Sequence, residues 1–197
     1  MPIIQKASPA QLVASTLYRN LSDNVTNYTY VDFCAGAGGP TPFIEKDLNA
    51  QLSSHTSESS ADAETTNGNG LGPRSPRTPN RPDNEAVKFI LTDLHPHIPD
   101  WTEASKRSEN LSFVSEPVDA ANAPADLNGS DGKKIFRLYN LAFHHFEDKL
   151  GLDILRNTIE TADGFGYVSL MLQPRFGFWS NGAIVFSSYK NEQYPPS

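Results

Sequence analysis

Ten residues, Tyr30-Val31-Asp32-Phe33-Cys34-Ala35-Gly36-Ala37-Gly38-Gly39, join a short apolar strand to a glycine turn through one carboxylate. Three glycines within four positions let the backbone turn sharply and bring its amides close to a ligand, where any side chain would obstruct the approach. That layout suits a nucleotide-type cofactor. Further along, Asp93, Asp119, Asn140 and the pair His144-His145 each stand at or shortly after an apolar run. A carboxylate accepting two sugar hydroxyls makes charge-assisted hydrogen bonds worth about 1.5 to 3 kcal/mol, and an imidazole can take a proton from a hydroxyl.

These residues need elements to place them. Ser8-Pro9 is a helix start followed by Val13, Leu17 and Leu21 at four-residue spacing, and Tyr28 to Phe33 reads as a strand. After the glycine turn, Thr41-Pro42 starts a second helix with Ile44, Leu48 and Leu52 on one face. From Ser53 the composition shifts to Ser, Thr, Asn, Gly and Pro, with Leu71 an isolated apolar residue, and the stretch to residue 85 is expected to be a disordered insertion. Within it Arg74-Ser75-Pro76-Arg77-Thr78-Pro79 fits proline-directed phosphorylation at Ser75 or Thr78, against the plainer reading of a solvated linker.

Order resumes with a strand at Val87 to Leu91 ending near Asp93, a short helix over Pro99 to Arg107, and strands at Leu111 to Val114 and Ile135 to Phe143. Leu152, Leu155 and Ile159 align on a helix from Leu150 to Ala162, which Asp163-Gly164 ends before a fifth strand, Phe165 to Leu172. Strands alternating with helices, several apolar on both faces, predict an α/β fold with a doubly wound, mostly parallel sheet. In such sheets ligands sit at the carboxyl ends of the strands, which is where Asp32, Asp93, Asp119 and Asn140 fall. The organisation expected is residues 1–52 and 86–172 forming one cofactor domain around the insertion at 53–85. The last stretch, 173–197, is a C-terminal hairpin or tail turning at Asn181-Gly182.

Taken together, Val31-Asp32-Phe33-Cys34-Ala35-Gly36-Ala37-Gly38, Asp93, Val118-Asp119-Ala120 and Tyr139-Asn140-Leu141-Ala142-Phe143-His144-His145-Phe146 resemble the ordered motifs of the class I S-adenosylmethionine-dependent methyltransferases. The resemblance implies a Rossmann-like fold and S-adenosylmethionine as cofactor. It implies that Asp32, Cys34, Ala35, Gly36 and Gly38 wrap the methionine part, and that Asp93 pairs with the two ribose hydroxyls. Asp119 and Ala120 would meet the adenine, with Phe33, Leu94 and Val118 as apolar walls. Asn140 would belong to the fourth-strand signature, and His144 or His145 would be the proton acceptor for a small-molecule substrate. Asp93 lies 61 positions after Asp32, whereas such folds place this acid roughly 20 residues beyond the turn, and the insertion absorbs the excess. After strand five the chain departs from the family's pattern, which continues with a helix and two more strands that shape the substrate pocket. A fold that stops short there, and binds without catalysing, is therefore a second reading.

Other readings of the same residues remain. A Gly-x-Gly turn alone is also a plain tight turn, Asp93 before Pro96 can be an Asx cap, and Asp119 can be a loop carboxylate. A nicotinamide dehydrogenase wants Gly-x-Gly-x-x-Gly, and Thr41 occupies the third glycine position. His95, His97, His144 and His145 do not follow a metal-ligand spacing, so no metal is assigned. A net charge of -7 argues against broad nucleic-acid or anionic-membrane binding. One cysteine, no signal-peptide pattern and no apolar run of spanning length point to a reducing, cytoplasmic setting. The methyl acceptor and the oligomeric state are not written in these residues.

Overall fold

Ser8 opens the first helix, α1 (Pro9–Leu21), with a reciprocal capping box: its hydroxyl accepts from the Gln11 N–H, and the Gln11 side chain accepts from its own. The computed structural model describes residues 7–64, 86–127, 132–171 and 182–189. A 3₁₀ turn leads into β1 (Tyr28–Phe33), and after the glycine turn comes α2 (Thr41–Glu64). Then follow β2 (Phe89–Thr92), α3 (Ile98–Ser105), β3 (Leu111–Phe113), β4 (Lys134–Asn140), α4 (Asp148–Thr161), β5 (Gly164–Met171) and β6 (Gly182–Tyr189).

The strands lie in the order β3-β2-β1-β4-β5-β6, the first five parallel and β6 antiparallel beside β5. This is a doubly wound, Rossmann-like α/β fold. Every residue of β1 is buried, as a central strand covered on both faces requires. Its side chains alternate between two cores. Tyr28 and Tyr30 join Leu17, Ile44, Leu48 and Trp101 on the face covered by α1, α2 and α3, while Val31 and Phe33 join Ile154 of α4 and Val118, Ala120 and Ala123 on the other.

Three expectations are corrected. The helix α2 does not stop at Leu52 but runs to Glu64, because no Pro or Gly interrupts residues 43–64 and a nucleated helix extends at one hydrogen bond per residue. Residues 65–85, including Ser75 and Thr78, lie outside the described residues. The fourth strand ends at Asn140 rather than Phe143, since Leu141 turns left-handed (φ 59°) and Phe143–His145 form a 3₁₀ turn. The C-terminal strand β6 pairs with β5, Met171 opposite Gly182 and Gly164 opposite Tyr189. Residues 172–181, and with them the Asn181 half of the expected turn, lie outside the described residues.

The third correction concerns α4. Leu152 and Ile159 are 63% and 59% exposed, and the helix instead buries Ile154 and Thr158. The sheet explains why. On that face β4 presents two polar side chains, Arg137 and Tyr139, both with no exposed surface. The Arg137 guanidinium, 4.5 Å above the Phe33 ring, donates to Asn157 Oδ1 at 2.7 Å and to Thr161 Oγ1 at 2.5 Å, and the Tyr139 hydroxyl shares a 2.5 Å bond with Thr158 Oγ1. Buried polar groups must be bonded, so the helix turns its polar stripe inward.

Candidate functional site

From β1 the chain passes to β2 on one side, while β4, on the other side of β1, leads to β5. The crevice at such a reversal, outside the carboxyl ends of the strands, is where doubly wound sheets bind ligands. Here both strand exits bend through left-handed residues that are not glycine: Cys34 (φ 60°) after β1 and Leu141 (φ 59°) just after β4. Side chains seldom adopt that conformation outside functional or strained positions.

The glycine turn between them is tied down by its own backbone. Ala35 N–H donates to the Thr92 carbonyl (3.1 Å), Gly38 N–H to Ala35 (2.8 Å) and Thr41 N–H to Gly38 (3.2 Å). Gly36 and Gly38 have φ of 52° and 101°, which their lack of Cβ permits. A Cβ at Gly38 would lie 3.8 Å from Leu91, Pro42 and Trp101, whereas nothing lies within 4 Å of one at Gly36. The turn thus packs at Gly38 and stands open at Gly36.

Asp93, half-buried beyond β2, reaches back to this turn: its Oδ2 accepts the Gly36 N–H at 2.9 Å and its Oδ1 the His95 N–H at 2.8 Å. On the other side of the Gly36 Cα, in the next peptide group, Trp101 Nε1 donates to the Gly36 carbonyl at 2.8 Å. Asp32 is buried beneath, at 1% exposure, where its Oδ2 accepts the Thr41 hydroxyl, which in turn accepts Asn140 Nδ2 at 2.7 Å. Burial pushes the Asp32 carboxyl up to about 7; the Thr41 hydroxyl and the nearby Asn140 amide offset this in part, and Asp93 adds a little to the rise. Asp32 Oδ1 and Asn140 Oδ1 are buried and have no donor among the described residues.

Cys34 follows β1 within reach of the charges of three acids. Its thiol is half-buried and pushed up to about 12, by burial first and then by the charges of Asp93, Asp32 and Asp119. Asp119 is exposed and closes an Asx turn on Ala121 N–H (2.9 Å), as its plainer reading allowed, while Ala120 is buried in the second core. Leu94 is 49% exposed. Phe33 has no exposed surface and stacks on Tyr139, so it is not a wall for any ligand. Ala35, also buried, contributes through its backbone. His144 and His145 project from the 3₁₀ turn after β4, both exposed, their rings 3.9 Å apart.

The arrangement therefore brings Asp32, Cys34, Gly36, Asp93 and Asp119 together and leaves the two histidines on the rim. Thr41 and Trp101 were not anticipated as site residues: Thr41 reads as an ordinary helix start, and Trp101 as the apolar anchor of a short helix. Among the described residues, no group of three His, Cys, Asp or Glu side chains could hold a metal ion, and no helix is long and apolar enough to cross a membrane. A groove of about 630 Å³ opens between α2 and α3, bounded in part by Phe43, Lys46, Arg107 and Leu111; it touches the turn at Ala37 and Gly39, not at Cys34 or Gly36.

No family model matches the chain, and no curated protein matches it. Among solved structures the chain is similar to LepI in complex with SAM, at 16% sequence identity and a TM-score of 0.38, over 90% of this chain and 34% of that one. The chain spans about a third of that protein's length.

Proposed function

We propose that the crevice binds S-adenosylmethionine and that the chain transfers its methyl group to a small-molecule acceptor. The observation that carries this reading is the Asp93 carboxylate bonded to the open glycine turn at Gly36, with the Asp32 carboxylate buried on the strand that enters that turn. The residues present suit that cofactor. Each Asp93 oxygen holds one backbone N–H, and a carboxylate oxygen accepts two hydrogen bonds, so a pair of ribose hydroxyls can share it. The strand ends carry more acceptors than donors, with Asp32 Oδ1 and Asn140 Oδ1 lacking a partner among the described residues. Such a surplus favours a ligand bearing ammonium and sulfonium charges.

Bound there, the cofactor supplies a methyl group on a positively charged sulfur. The chain's own part is to fix the turn, through Asp93, Trp101 and Thr41, and to hold the acceptor in line, so proximity does much of the work. To His144 and His145, exposed beyond the β4 end, we assign the taking of a proton from a hydroxyl acceptor.

Calorimetry tests the first step. Wild-type protein should bind S-adenosylmethionine and Asp93→Ala should bind it at least tenfold more weakly; a folded wild type giving no heat at millimolar cofactor ends the reading. A binding-only role is favoured by one observation. Ten positions separate Met171 from Gly182, room for the link between antiparallel strands but not for the pocket-shaping helix that the resemblance implies. Binding without methylation of any acceptor across a broad metabolite panel would decide for that role.

A further inference from the structure

We infer that Trp101 is a positioning residue for the cofactor turn, acting from α3 on the carbonyl of Gly36; the inference rests on the S-adenosylmethionine reading above. Gly36 is gripped through the peptide groups on both sides of its Cα, its N–H by Asp93 and its carbonyl by the Trp101 indole. Both grips come from one stretch of chain, since Trp101 follows Asp93 by eight positions (101 minus 93) across the β2–α3 connection. The acid assigned to the ribose and the turn assigned to the methionine part are therefore held by a single unit.

The indole is more than filler. Trp101 has no exposed surface, and its ring is anchored on the sheet through Phe113, centroids 5.8 Å apart. A buried indole N–H needs an acceptor, and this one takes the Gly36 carbonyl rather than one on its own helix. Its Cδ1 also lies 3.8 Å from where a Cβ on Gly38 would stand, so the ring supports both glycines that shape the turn. Gly36, at φ 52° with open space around it, has no steric wall of its own. Without the indole donor its carbonyl is free to swing round, and the Ala37 N–H swings with it. That movement disturbs the methionine half of the site and leaves the Asp119 side untouched.

Trp101→Phe separates the two halves. Titrated by calorimetry, the variant should bind S-adenosylhomocysteine about tenfold more weakly, the effect of one net hydrogen bond, while its affinity for adenosine stays at the wild-type value. Leu17→Ala, a core truncation on α1, should lower thermal stability and leave both affinities unchanged. If Trp101→Phe does not fold, 3-benzothienylalanine at position 101 keeps the shape and removes only the N–H, and the same split is expected. Wild-type affinity for both ligands in either variant overturns the inference, and so does an equal loss for both. A wild type that binds neither ligand overturns the cofactor reading, and this inference with it.

Discussion

The carboxylate of Asp93 holds the backbone of Gly36, 57 positions earlier in the chain, through a 2.9 Å hydrogen bond from the Gly36 N–H. Since the other carboxylate oxygen accepts the His95 N–H, the side chain works as a two-point acceptor before any ligand arrives. Asp93→Asn replaces one acceptor oxygen by a donor and must lose one of these bonds. The expected result is faster exchange of either the Gly36 or the His95 amide in ligand-free protein, read by NMR, together with at least tenfold weaker cofactor binding. Unchanged exchange at both amides would mean that the clamp does not hold in solution.

Thr41 ties the start of α2 to the ends of β1 and β4 through Asp32 and Asn140. Thr41→Val keeps the shape and strands both partners, so it should cost about 1 to 3 kcal/mol in chemical denaturation. Thr41→Ser, which keeps the hydroxyl, should cost less.

Asp32 gives the fold a pH signature. Its folded value of about 7 lies above the ordinary value of 3.8, so between these limits the native state binds more protons than the unfolded one. Stability from this group is greatest at acid pH and declines as pH rises from about 4 to about 7, with a slope of at most about 1.4 kcal/mol per pH unit. In Asp32→Asn that component of the slope should vanish from the difference in denaturation free energy between pH 5 and pH 8.

The raised thiol of Cys34 predicts sluggish chemistry despite its partial exposure. Alkylation by iodoacetamide at pH 8 should be far slower than for a free thiol, since the thiolate is the reactive form, and should accelerate steeply above pH 10. Asp93→Asn, which removes one of the repelling charges, should speed it.

The two sides of α4 offer a direct test of which one meets the sheet. Ile154→Ala should cost about 2 to 5 kcal/mol, while Leu152→Glu and Ile159→Glu should each stay within about 0.5 kcal/mol of wild type in denaturant melts. The opposite ranking would restore the face that hydrophobicity alone suggests.

That reversal shows where the sequence was legible and where it was not. Elements whose inward side is apolar, such as α1 with Val13, Leu17 and Leu21 or β1 throughout, announce themselves by periodicity. The doubly wound, mostly parallel sheet follows from alternating elements, and the candidate acids from their places at strand ends. In α4 the inward side is set by Arg137 and Tyr139 on a neighbouring strand, a tertiary demand invisible in the helix itself. Thr41 and Trp101 escaped for the same reason: what matters is the partner each hydroxyl or indole finds, 9 and 65 positions away. The length of α2 was misjudged because composition reports what can be buried, not how far a helix runs once begun.

The floor of the crevice is made of main chain, bent at Cys34 and Leu141 and clamped at Gly36, whereas its rim is made of Leu94, Asp119, His144 and His145, all exposed. Floor and rim therefore answer to different constraints. A change at the rim alters what can be seated above the turn while the backbone beneath it stays as it is, so ligand preference can be retuned one side chain at a time without rebuilding the seat.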